Sequence, residues 1–236
     1  MGEKVNVTLN GQKVDGWLAK PASGKGPAVV VIQEWWGLVP HVKDVTERFA
    51  KEGFVAFAPD LYHGKTTTSP DEAGRLLMEL DVERAGREIA GAGAFLLQRA
   101  ECVSNKFGVV GFCMGGALAQ YAATSNPSVG AVVSFYGGFK KVPLDWKHLA
   151  SPLLLLYGGK DTGVPATDAR PLEEKLKAMG KDVEAVLYPD AGHAFFNDSR
   201  ANVYDPKASA DAWKRTLAHL RRALVQAALP GATPSL

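Results

Sequence analysis

The chain has 236 residues, 46% of them hydrophobic and 22% charged, with a formal net charge of +2 at pH 7. This is ordinary globular composition, and a single domain of this length buries roughly 70–75% of the surface its unfolded chain exposes. The small net charge gives no electrostatic case for nucleic acid or an anionic membrane as partner, and no apolar run approaches the ~20 residues of a membrane span.

The opening stretch MGEKVNVTLNG has no apolar signal core, and Asn6 stands where a myristoylation site wants Ser or Thr, so the chain reads as cytoplasmic. KVNVTL and KVDGWLAKP, joined by NGQ, read as a hairpin. PAVVVIQ is a continuous β-branched run, as expected of a strand buried on both faces. PHVKDVTERFAKEG is helical and ends at Gly53, and FVAFAPD is a second buried strand. Residues 69–100 read as helical from Ser69 as N-cap and Pro70 at the first position, with Gly86, Gly91 and Gly93 suggesting a break or close packing. Then follow the strand KFGVVGF, the helix GALAQYAATS, the strands GAVVSFYG and PLLLLYGG, the helix PLEEKLKAMG, the strand VEAVLYP and the helix SADAWKRTLAHLRRALVQ. Strands alternating with helices predict an α/β domain with a mostly parallel, twisted sheet of about eight strands and helices on both faces. One domain over residues 1–228 is expected, and the tail LPGATPSL, residues 229–236, reads as disordered.

In such sheets, sites form at the carboxyl ends of the strands. Four reactive residues fall there: Glu34, Cys113, Asp161 and His193. Cys113 lies in GFCMGG, where a sharp strand-to-helix turn needs neighbours without side chains, supplied by Gly111, Gly115 and Gly116. The helix N-terminus that follows favours thiolate, the reactive form. His193, in DAGHAFF, suits a general base, with His63 of DLYHG as second choice. Asp161, in GGKD, suits the carboxylate that orients an imidazole, with Asp168 and Asp190 as competitors. The order Cys113, Asp161, His193 is the nucleophile–acid–histidine order of α/β-hydrolases. The oxyanion hole is expected from the backbone N–H groups of Met114 and Trp35. Glu34, directly after a buried strand, needs a partner. The expectation is that it contacts Cys113 and favours the neutral thiol. No paired cysteine or histidine spacing of a metal site occurs among the two cysteines and five histidines.

QEWWG, APDLYHG, GFCMGG, SFYGG, GGKD and AGHAFFN together resemble the dienelactone hydrolase family of α/β-hydrolases, over roughly residues 5–225. The resemblance implies a Cys-Asp-His triad with a glutamate beside the cysteine, falling on Cys113, Asp161, His193 and Glu34. It implies hydrolysis of lactones or activated esters through a thioester, without metal or organic cofactor. A small-molecule substrate is the expected partner, and a monomer or homodimer the expected state. Members that act on dienelactone grip its carboxylate with arginines. Here Asn197 stands near one expected place with Arg200 further on, and Arg75 is the candidate for the other. Trp35, Trp36, Tyr62, Phe195 and Phe196 suggest instead an aromatic-lined pocket. The alternatives are a thiol enzyme like the class I glutaminases, which share G-x-C-x-G but place an acid two residues after the histidine, a ligand-binding protein on a hydrolase scaffold, and a redox role for Cys113.

Overall fold

The computed structural model describes residues 2–9, 11–164, 167 and 169–225, so Asp168 and the tail 229–236 lie outside the described residues. Eight strands form one sheet: β1 (Glu3–Leu9), β2 (Gln12–Ala19), β3 (Gly26–Ile32), β4 (Val55–Pro59), β5 (Cys102–Phe112), β6 (Val129–Phe135), β7 (Leu153–Gly158) and β8 (Val183–Tyr188). Their spatial order is β1-β2-β4-β3-β5-β6-β7-β8. The β1–β2 and β2–β4 pairs are antiparallel, and from β4 to β8 every pairing is parallel. The helices are α1 (Pro40–Lys51), α2 (Pro70–Glu79), α3 (Val82–Leu97), α4 (Met114–Ser125), α5 (Ala169–Ala178) and α6 (Pro206–Leu224).

The unbroken apolar runs are explained by the two faces of the sheet. Successive side chains of a strand point to opposite sides. In β3, Ala28, Val30 and Ile32 pack with Ile89 and Leu96 of α3 and Leu118 of α4. Val29 and Val31 pack with Val45 and Phe49 of α1 and Leu217 and Leu220 of α6. Both faces are dry, so no polar alternation survives in the sequence.

The long helical stretch divides at Leu80 and Asp81, away from its glycines. Asp81 accepts a hydrogen bond from the Arg84 amide at 2.9 Å and so caps α3. Gly86 and Gly93 serve close packing. A Cβ on them would lie 2.5 Å from the Tyr121 ring and 2.2 Å from the Phe107 ring.

The path of the chain sets the place of the site. From β3 it moves outward to β4, then returns through α2 and α3 to β5 on the other side of β3. This reversal opens a crevice at the carboxyl ends of β3 and β5. Glu34 follows β3 there and Cys113 follows β5, while Asp161 and His193 follow β7 and β8.

Candidate active site

Cys113 occupies the turn between β5 and α4 with φ 53° and ψ −116°. A non-glycine residue in such a conformation costs on the order of 1–3 kcal/mol and persists only when its surroundings hold it. Here the Cys113 N–H donates to the Phe135 carbonyl at 3.0 Å, and its own carbonyl accepts from Gly116 and Ala117 in the first turn of α4. The turn closes on itself and against the end of β3. A Cβ on Gly111 would lie 1.9 Å from the Gly115 oxygen, and one on Gly115 would lie 2.5 Å from the Gln33 oxygen. The glycines around the cysteine are therefore fixed by space. The positive end of α4 stabilises negative charge at the sulfur.

His193 places Nδ1 2.6 Å from Asp161 Oδ2. The other Asp161 oxygen accepts from the Gly163 and Val164 amides, each at 2.9 Å. Burial works to raise the Asp161 carboxyl, but the bonds from His193 and these amides outweigh it and hold it below its usual range. For His193, burial works to lower the imidazole. Its hydrogen bonds to Asp161 and Cys113, and their negative charges, prevail and push it up to about 10. Because Asp161 holds Nδ1, Nε2 is the nitrogen left for Cys113, which lines the same cavity. The loop that carries His193 is tied down by Phe195 and Phe196, 0% and 3% exposed. Phe196 stacks on Phe112 at 5.5 Å and packs on Phe135 at 4.9 Å. These two rings do not line the cavity as expected; their apolar area goes into anchoring the loop.

Glu34 is 2% exposed, and both its oxygens are taken. Oε1 accepts from the Tyr136 hydroxyl at 3.3 Å and Oε2 from Asn197 Nδ2 at 2.7 Å. Among the described residues no hydrogen bond joins Glu34 to Cys113, since both oxygens accept from these two donors, but the two residues line the same cavity. Sequence reasoning missed Tyr136, which sits at φ 40° with its ring centroid 5.0 Å from that of His193. Complete burial, with the negative charges of Glu34 and Cys113, pushes its phenol far up, so it remains a neutral donor. The signal was its place in SFYGG, directly after β6, a strand-end position like those of the other four.

The cavity above Cys113 has a volume of about 360 Å³. Trp35 and Trp36 line it with Glu34 and His193, and Leu77 and Val164 add apolar surface. Among the described residues, the amides of Trp35 and Met114 have no acceptor, which leaves both free for a substrate oxygen.

The model of the family described as "Dienelactone hydrolase family" matches residues 14–224. The chain belongs to the dienelactone hydrolase family. It is 38% identical over 231 residues to "Protein usf" of Aquifex pyrophilus, covering 95% of this chain and 100% of that one. It is 35% identical to a protein of Aquifex aeolicus named "Putative carboxymethylenebutenolidase", covering 91% and 95%. The crystal structure of a "Putative Dienelactone Hydrolase" from Klebsiella pneumoniae superposes with a TM-score of 0.85 at 28% identity, covering 94% of this chain and 98% of that one.

As a dienelactone hydrolase family member, the chain has an α/β-hydrolase fold, and several candidate residues take other places in it. Asn197 holds Glu34 and does not line the cavity over Cys113. Arg75 lies on the exposed face of α2, bonded to Glu72, outside the cavity. Tyr62 is buried beneath the turn, where its hydroxyl donates to Met114 Sδ at 3.2 Å, so it braces α4. His63 is 3.1 Å from Glu88, and Asp190 is exposed beside Lys160. Among the described residues no group of three or more His, Cys, Asp or Glu is arranged to hold a metal ion, and no helix is long and apolar enough to cross a membrane.

Proposed function

We propose that this dienelactone hydrolase family protein cleaves lactones or activated carboxylic esters through a thioester on Cys113, with His193 and Asp161 completing a triad. The observation that carries the reading is the Cys113–His193–Asp161 chain at the N-terminus of α4, in which the imidazole is pushed up to about 10. An imidazole that basic holds a proton at neutral pH, the proton a leaving group needs. The thiolate attacks the substrate carbonyl, and the oxyanion that forms accepts from the amides of Trp35 and Met114. The imidazolium gives its Nε2 proton to the departing alkoxide, leaving a thioester and a neutral imidazole. That imidazole takes a proton from water, hydroxide adds to the thioester, and the thiolate leaves as the acid forms.

Asp161 keeps the imidazole in one tautomer and stabilises its charged form. Glu34, held by Tyr136 and Asn197, places its carboxyl group in the same cavity. The lactone class is supported by the name of the Aquifex aeolicus relative. Purified protein should hydrolyse aryl esters or lactones, and mass spectrometry of the quenched reaction should show acylated Cys113. Cys113→Ala should abolish turnover, whereas Cys102→Ala should leave most of it. Near-normal turnover by Cys113→Ala would overturn the mechanism.

A further inference from the structure

Two residues outside the proposed triad are each costly where they stand, and they meet each other. His63, in the loop after β4, has φ 52°, a left-handed conformation that disfavours residues other than glycine. Glu88 lies on the inward stripe of α3 with Ala85, Ile89 and Ala92, and its side chain is 3% exposed. An apolar side chain would fill that position without the cost of burying a carboxylate. His63 Nε2 lies 3.1 Å from Glu88 Oε1, and Arg84 Nε lies 3.8 Å from the same oxygen. Burial pushes the Glu88 carboxyl up and the charge of Asp60 adds to this, while His63 and Arg84 pull it down. Neither His63 nor Glu88 lines the cavity over Cys113.

The loop that His63 ties to α3 does reach the site. Asp60 shapes it by accepting from the Tyr62 and Gly64 amides at 3.1 and 2.6 Å. The Tyr62 hydroxyl donates to Met114 Sδ at 3.2 Å. Further on, the Thr67 N–H donates to the Trp36 carbonyl at 3.1 Å. A Cβ on Gly37 would lie 2.4 Å from the Lys65 carbonyl oxygen, so the two segments are pressed together. Residues 60–67 therefore touch Met114 on one side and the residue next to Trp35 on the other, and these carry the two free amides over Cys113. The Leu61 amide also donates to Gln33 Oε1 at 3.3 Å, which leaves the loop one tie of its own when the pair is broken.

We propose that His63 and Glu88 are positioning residues for the oxyanion hole: their pair pins residues 60–67 to α3, and the pinned loop holds Met114 and the Trp35–Trp36 segment at the spacing that a tetrahedral intermediate needs. This rests on the thiol hydrolase reading. It accounts for both local costs at once, since the left-handed turn at His63 aims its ring at the buried carboxylate.

The test compares His63→Gly, Glu88→Leu, the double variant and Glu88→Gln. Glycine suits the left-handed turn and leucine suits the apolar stripe, so melting temperatures should stay close to that of the native protein. Ester hydrolysis should nevertheless fall about 10-fold or more in kcat in either single variant, with KM changed less, because the hole acts on the transition state. The double variant should lose no more than the larger single loss, as two members of one pair do. Glu88→Gln keeps an acceptor for His63 and should retain more of kcat than Glu88→Leu. Alkylation of Cys113 by iodoacetamide, followed on its peptide, should keep its native rate, since displacement of iodide forms no oxyanion. A further readout needs no turnover: the Thr67 amide should exchange its hydrogen faster in His63→Gly and in Glu88→Leu. Unchanged kcat in both single variants, additive losses in the double variant, alkylation that falls in step with kcat, or unchanged exchange at Thr67 would each overturn the inference. Ester turnover that survives in Cys113→Ala would instead overturn the thiol reading, with exchange at Thr67 still deciding whether the pair pins the loop.

Discussion

His193 is where the electrostatics of the site meet. Its raised value depends on Asp161 at Nδ1 and on Cys113 at the other face. The sign follows from the direction: a folded value above the unfolded ~6.5 gives stability that is complete below about 6.5 and lost as pH rises through about 10. In the proposed mechanism the same proton goes to the leaving group, so kcat/KM should fall on that alkaline limb. Asp161→Asn removes a negative charge and frees the tautomer, so both the limb and the stability loss should move to lower pH, with a rate loss of several orders of magnitude. A pH profile of kcat/KM and of melting temperature for the two proteins checks this. A limb left in place would show that Asp161 does not set the basicity of His193.

Among the elements, α4 and the turn before it bear the tightest constraint. Gly111→Ala would drive a Cβ into the Gly115 carbonyl at 1.9 Å, which must push the turn off β3. The expected outcome is a lower melting temperature and loss of most of the proposed ester hydrolysis; unchanged values for both would show that the turn has slack. This constraint was legible in the sequence, since glycines on both sides of a cysteine after an apolar run mark a turn too tight for side chains. The buried strands were legible for the same kind of reason, because two dry faces leave continuous Val, Ile and Leu runs. Asp161 and His193 were legible by their places after such runs. The division of α2 from α3 was harder, because the capping aspartate Asp81 is less conspicuous than the nearby glycines. Arg75 could have been placed: Ala73, Leu76 and Leu77 mark the inward stripe of α2, and Arg75 lies off it. Phe195 and Phe196 could not, because an aromatic in a loop reads alike whether the loop turns over a cavity or under it. The Asn197–Glu34 bond, across 163 positions, has no local signature.

Across the whole molecule, loss of stability in acid has a specific source in α6. His219 is buried, with Nε2 3.2 Å from the Pro152 carbonyl. Burial pushes its imidazole down to about 4, and the positive charge of Arg222 works the same way. A folded value below the unfolded ~6.5 means that its contribution is complete above about 6.5 and is lost as pH falls through about 4, because the unfolded chain takes up the proton first. His219→Gln keeps an N–H for the Pro152 carbonyl and removes the titration. Its melting temperature should therefore fall less than that of the native protein between about pH 7 and pH 4. Equal slopes would assign acid unfolding to other groups.

The proposed reacting groups hang from strands of unequal security. Cys113 follows β5, which has neighbours on both sides, while His193 follows β8, which among the described residues is paired with β7 alone. Outermost strands detach more readily than central ones. When β8 frays, the nucleophile stays on an intact platform but loses its proton donor. Shelf life of activity and persistence of the folded centre are then separate clocks, and the faster is set by the rim of the sheet.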